Sequence, residues 1–276
     1  MKTTAYTREF FDSIVDGSRE SAREVVPLVL TLLKPKSVVD VGCGSGAWLK
    51  VFMEQGVDVF GCDGAYVDPD ALCIPRDHFA PVDLNKPFSL KRRFDLCICL
   101  EVAEHLKPES ADGFIDSLVR LAPCVMFSAA IPSQGGTQHI NLRWPSYWAE
   151  LFRRRGFVWL DPFRTVLWNN QNVKWWYRQN MFLYVAEEAL QCLPQLERYR
   201  YSATDLQIIH PDILNALLHP ARRKSLPRRL WHKVRRWLGS YGQLSGSENQ
   251  CTADGTNSVR PSSSHGTVSR SSHFVQ

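Results

Sequence analysis

With 276 residues, 44% of them hydrophobic and 22% charged, the chain has the apolar material for one sizeable core plus appendages. The formal charge of +5 describes only part of it, because Arg222, Arg223, Lys224, Arg228, Arg229, Lys233, Arg235 and Arg236 fall in one segment without acids, leaving the remainder net acidic. The longest apolar stretch, VVPLVLTLL, is far short of the ~20 residues of a membrane span, and MKTTAYTREFFDS at the start has no apolar signal region. A cytoplasmic protein without a transmembrane segment is expected. The eight cysteines include no CxxC pair and sit mainly in apolar runs such as CICL (97–100), so they read as reduced core residues. No metal site and no disulfide frame is expected, and no repeat suggests a solenoid or propeller.

In chain order, Ser18 is placed to cap a helix whose apolar positions Ala22, Val25, Val26, Val29 and Leu33 recur at helical spacing, with Pro27 a candidate kink. Ser37–Val41 reads as a buried strand and Ala47–Glu54 as a short helix. DVFGC (58–62), HFAPV (78–82) and FDLCICL (94–100) follow as strands. Pro108 opens a helix with the stripe Phe114, Ile115, Leu118, Leu121, and CVMFSAA (124–130) repeats the strand pattern. Pro145 opens another helix that ends at Arg153–Arg155 before Gly156. FVWL (157–160) and NMFLYV (180–185) complete the set. This alternation predicts an α/β fold of three layers, a doubly wound, mostly parallel sheet covered on both faces.

In such a sheet ligands bind beyond the carboxyl ends of the strands. There the first strand runs into VGCGSG, where Gly42, Gly44 and Gly46 permit a tight turn and close ligand approach. Gly42, Gly44 and Ala47 also satisfy the dinucleotide pattern G-x-G-x-x-G/A, so the loop alone leaves a nicotinamide or flavin enzyme open. Asp63, ending the second strand, can accept from ribose hydroxyls. Asp40 and Asp83 add anions that would repel a pyrophosphate and attract an ammonium group, so a nucleoside with a cationic tail is implied.

DVGCGSG, with CDGAYVD (62–68), VDL (82–84), CLEVAEHL (99–106) and SAAIPSQGGTQHIN…WPSYW (128–148), resembles the class I S-adenosylmethionine-dependent methyltransferases, and specifically a bacterial subgroup of them. The resemblance covers about residues 7 to 190 and implies a seven-stranded Rossmann-like sheet with S-adenosyl-L-methionine as cofactor. It implies that Asp40 holds the methionine amino group, that Gly42, Gly44 and Gly46 pass beneath methionine and ribose, and that Asp63 binds the ribose hydroxyls. Asp83 with Leu84 would frame the adenine, Leu100 would line the cofactor, and Glu101 would face the reaction site.

Methyl transfer requires mainly alignment of an acceptor lone pair with the S–CH₃ bond. A hydroxyl acceptor also needs a base. His139, in SQGGTQHIN, is the first candidate, with Gln138 and Asn141 as acceptor contacts. His105, in EVAEHL at the start of a predicted helix, is the second, although it reads more readily as support for the cofactor rim, with Glu104 as its partner or as a solvated helix residue. No N/D-P-P-Y/F sequence follows the fourth strand, which favours an oxygen acceptor on a small molecule or glycan. The stretch LWNNQNVKWWYRQN (167–180) reads as a loop where a sugar ring could stack on Trp175 or Trp176 beside Asn169 or Asn170. An RNA methyltransferase and a non-catalytic cofactor-binding protein remain open.

The expected organisation is a methyltransferase domain over 1–190, a helical extension over 191–238 and a disordered tail over 239–276. Within the extension, 222–238 reads as a basic amphipathic helix for peripheral contact with an anionic membrane or another polyanion, or as a helix docked with its basic face in solvent.

Overall fold

The computed structural model describes residues 8–200 and 208–212, with side chains from residue 16 onward. The chain divides into two units, Met1–Arg222 and Arg223–Gln276, and the described residues belong to the first. The basic amphipathic segment and the tail expected over 239–276 lie outside the described residues.

Seven strands form one sheet: β1 (Ser37–Val41), β2 (Asp58–Asp63), β3 (Phe79–Pro81), β4 (Leu96–Leu100), β5 (Cys124–Ser128), β6 (Phe157–Leu160) and β7 (Phe182–Ala186). Their order is β3-β2-β1-β4-β5-β7-β6. β1 pairs in parallel with β2 and β4, as β4 does with β5, whereas β7 runs antiparallel to both β5 and β6. The β-branched run Val38–Val39 and the small cysteines of β4 suit strands buried on both faces. Alternate residues divide between two cores. Val38, Leu96, Ile98 and Met126 join Val25, Val29, Leu49 and Phe52 on one face, while Val39, Cys97, Cys99, Val125 and Phe127 join Phe114, Leu118, Trp148 and Phe152 on the other.

The first face is covered by α1 (Arg8–Leu33) and α2 (Ala47–Glu54), and the second by α3 (Ala111–Leu121) and α4 (Pro145–Arg153). Three short helices, α5 (Arg164–Leu167), α6 (Trp175–Asn180) and α7 (Glu187–Leu190), flank β6 and β7. The packed chain continues past residue 190: Leu196 is fully buried, and the His210 ring lies against Trp168. Among the described residues no helix is long and apolar enough to cross a membrane.

Three expectations need correction. α1 begins well before Ser18, whose hydroxyl is not a cap but meets Tyr177 Oη at 3.1 Å. The stretch 167–180 is not all loop, since α6 occupies its second half. His105 sits on a 3-10 turn, Ala103–His105, and not at a helix start. Lys107 precedes Pro108 and is held extended, as residues before proline are, so a helix can begin only afterwards.

Candidate active site

β1, β2, β4 and β5 end on one edge of the sheet, and the residues singled out from the sequence gather there. Gly42 (φ 82°) follows β1 and donates to the Cys62 carbonyl at 2.7 Å, which bends the chain across β2. A Cβ on Gly42 would lie 2.4 Å from Val102 Cγ2, so this position is closed by packing. Gly44 (φ 53°) is the opposite case: a Cβ there would meet no heavy atom within 4 Å. One glycine makes room for the protein and the other leaves its space open.

Asp63 organises this loop. Its Oδ2 accepts from Gly44 N at 2.7 Å, and its Oδ1 accepts from Gly64 N at 2.6 Å and from the Tyr66 hydroxyl at 2.5 Å. Tyr66 itself is 70% exposed, so a phenol reaching in from solvent occupies part of the acceptor capacity that a ribose would use. Asp40 is buried in β1, and burial together with the Asp63 charge pushes its carboxyl well above the usual range. A ligand ammonium would offset that repulsion.

Asp83 lies beyond β3 and is exposed. It accepts from Asn85 N at 3.1 Å and pairs with Lys86 Nζ at 3.1 Å, which hold its carboxyl low. Leu84 beside it is buried, as is Leu100 at the end of β4.

Glu101 follows Leu100 in a left-handed conformation (φ 56°), which a non-glycine residue adopts only when its surroundings impose it. Its amide donates to both the Ser128 carbonyl and the Ser128 hydroxyl, at 3.0 and 3.1 Å. Its carboxylate accepts from Gln134 Nε2 at 3.0 Å and Asn180 Nδ2 at 3.2 Å, and Asn180 Nδ2 also reaches Gln134 Oε1 at 2.9 Å. Burial nevertheless raises the Glu101 carboxyl. Sequence reasoning missed Gln134, Asn180 and Ser128. A buried amide carries no local signature, and Asn180 arrives only because β7 is antiparallel, which sets its first residue at the carboxyl edge of the parallel strands.

The turn Ala103–His105 and the loop bearing His139 form the far wall. Ile140 N and Asn141 N donate to the Glu104 carbonyl at 2.9 and 3.0 Å, and Asn141 Nδ2 donates to the Ala103 carbonyl at 3.3 Å. Asn141 Oδ1 accepts from Arg143 Nε at 3.0 Å. Asn141 is therefore a buried brace and not the acceptor contact expected of it. The rings of His105 and His139 meet edge to face, centroids 4.7 Å apart. Burial lowers both, and with His105 nearby His139 falls to about 4, so its imidazole is neutral at physiological pH. Glu104 is fully buried, and burial beside Glu101 holds its carboxyl well above the usual range.

Of the amides and indoles over 167–180, Asn170 Nδ2 is bound to Glu24 Oε2 on α1 at 2.8 Å. Trp175 and Trp176 meet edge to face, and Trp176 packs on the core.

Comparison with known proteins gives distant likenesses in structure and a family match in sequence. Among curated proteins none matches the chain. A magnesium protoporphyrin IX methyltransferase from Synechocystis, solved with bound SAH, is 19% identical with a TM-score of 0.46, over 67% of this chain and 91% of that one. DesVI of Streptomyces venezuelae is 14% identical with a TM-score of 0.48, over 64% and 95%. The plantazolicin methyltransferase BpumL, also with SAH, is 16% identical with a TM-score of 0.45, over 65% and 90%. Residues 16–127 match the family model described as a methyltransferase domain. That span runs from within α1 to within β5 and carries the glycine loop, Asp40, Asp63 and Glu101, so the part of the chain that is similar to a methyltransferase domain is the part that builds this strand edge.

Proposed function

We propose that the chain transfers the methyl group of S-adenosylmethionine to a hydroxyl of a small molecule or glycan. The observation that supports this most is the shared strand edge. The open face of Gly44, with Asp40 and Asp63 beside it, and a wall of Glu101, His105 and His139 stand at the carboxyl ends of the same parallel strands. In this reading Asp63 accepts from the ribose, Asp40 faces the methionine ammonium, and Asp83 with Leu84 borders the adenine. Aligning the reacting atoms can be worth ~7–11 kcal/mol at near-ideal geometry, so a rigid wall matters more than a strong base. His139 is neutral and offers an imidazole lone pair on the acceptor side, while Glu101 is fixed by Gln134 and Asn180.

The test is incubation with methyl-labelled S-adenosylmethionine and separate glycan, small-molecule and RNA fractions. Label in the first or second fraction supports the proposal, and label confined to RNA overturns the acceptor class. His139→Ala should leave cofactor affinity intact and lower turnover by ~10²-fold or more. Equal loss of both would reduce the residue to shaping its loop.

A further inference from the structure

We propose that Glu104, His105 and His139 form a binding site for one divalent transition-metal cation beside the methyl acceptor. The assignment rests on the methyl-transfer reading for its purpose, though not for its occupancy. One ligand atom from each residue can be chosen so that all three lie within 4.8 Å of one another. Bonds of about 2.1 Å to a tetrahedral cation put ligand atoms about 3.4 Å apart, so the widest pair must draw in by about 1.4 Å, within reach of side-chain rotation.

Two features mark the cluster as built for a ligand. Glu104 is fully buried with the Glu101 carboxyl and the Glu104 and Ala130 amides beside its carboxylate, yet neither oxygen completes a hydrogen bond of good geometry, and Nδ1 of both His105 and His139 is likewise buried without a partner. Groups that costly to leave unpaired are satisfied together by a cation. The fold also fixes the three residues relative to one another. The hydrogen bonds from Ile140 and Asn141 fasten the His139 loop to the turn that carries Glu104 and His105. Gly136 leaves the His139 ring its place, since a Cβ there would fall within bonding-forbidden distance of the imidazole. The Gln138 backbone carbonyl accepts from the His105 ring and so helps to orient it. A metal-binding histidine is commonly oriented in this way.

Two imidazoles and one carboxylate suit a first-row cation between manganese and zinc. Three protein ligands leave positions open, as in catalytic and not structural sites. An acceptor hydroxyl on such a position would release its proton to water more readily, so with the cation bound His139 would serve as a ligand and its lone pair would no longer act as a base. Its oxygen then forms the new O–CH₃ bond as the C–S bond breaks, the electron pair passing to sulfur to leave S-adenosylhomocysteine. The acceptor class follows: a compound with oxygen donors that can reach a cation, such as a diol or a phenol. The sequence offered no spacing from which to expect this site, because His139 lies far along the chain from Glu104.

The probe is Co²⁺, added to chelator-treated full-length protein without cofactor or acceptor, followed by calorimetry and by visible absorbance. One equivalent with a ligand-field band is expected. Glu104→Gln and His139→Gln should each weaken Co²⁺ binding on the order of tenfold or more, with S-adenosylmethionine affinity unchanged as the measure of an intact fold. In the unsubstituted chain, Co²⁺ should also protect His105 and His139 from carbethoxylation, a readout independent of any variant. Absence of Co²⁺ binding, or binding and protection that ignore these residues, overturns the site while leaving methyl transfer standing. Co²⁺ binding in a protein that methylates nothing sinks the functional reading and leaves the site.

Discussion

Gly42→Ala and Gly44→Ala should separate the packing use of a glycine from its ligand use. Both positions have positive φ, so alanine costs about 1–2 kcal/mol of backbone strain at either. At Gly42 the added methyl also meets Val102 Cγ2 at 2.4 Å and Cγ1 at 2.8 Å, an overpacking worth a further ~1–3 kcal/mol. The totals are about 2–5 kcal/mol for Gly42→Ala and about 1–2 kcal/mol for Gly44→Ala. At roughly 2–4 °C per kcal/mol for a unit of this size, the first variant should lose about 4–20 °C of Tm and the second about 2–8 °C. Binding should invert the order of severity per degree lost. The methyl of Gly44→Ala projects into space that no protein atom claims, and if the cofactor lies there the same ~1–3 kcal/mol appears as a roughly 5- to 150-fold weaker Kd. Differential scanning calorimetry and titration with S-adenosylmethionine measure the two quantities separately. A Gly44→Ala protein that binds S-adenosylmethionine like wild type would refute the assignment of that open face to the cofactor.

Asp63→Ala should weaken S-adenosylmethionine binding by ~1.5–3 kcal/mol in calorimetry, the range for a hydrogen bond to a charged group, and should also lower Tm because Gly44 N and Gly64 N lose their acceptor. Asp40→Asn should abolish tight cofactor binding yet raise the Tm of the free protein near neutral pH. The wild-type carboxyl is raised in the fold, so its stability is present below the unfolded value near 3.8 and is lost as pH rises through the folded value. The advantage of asparagine should therefore vanish in acid, and a pH-independent difference would contradict the burial argument. Away from the site, Arg164 Nε and Asp161 Oδ2 form a buried pair at 2.7 Å, with the guanidinium over the Phe182 ring. Arg164→Leu alone should cost ~3–5 kcal/mol in denaturant unfolding, and adding Asp161→Leu should recover part of it.

Much of the fold is legible in the sequence because buried parallel strands are short continuous apolar runs bounded by glycine, proline and aspartate. Ala47–Glu54 and Phe157–Leu160 coincide with α2 and β6, and the other strands agree to within a few residues. The direction of β7 is not legible, since NMFLYV has the same pattern whichever way it runs. Nor is α6, whose Trp-rich sequence lacks a capping residue. In the site, glycines and strand-ending carboxylates announce themselves by position. Glu101's amide partners do not, because Gln134 and Asn180 are remote in sequence and meet it only through the sheet.

The reversed last strand brings the chain back to the working edge long after the glycine loop has been laid down. Everything proposed to hold the cofactor lies before residue 102, within the span that matches the methyltransferase-domain model. Gln134, His139 and Asn180 come after that span ends. In the proposed reading the donor side falls wholly within that span, whereas the acceptor side is assembled from both parts, Glu101, Glu104 and His105 from within it and Gln134, His139 and Asn180 from beyond it. If the proposed reading holds, exchange of residues 129–180 between proteins of this architecture should change acceptor choice while leaving cofactor affinity alone.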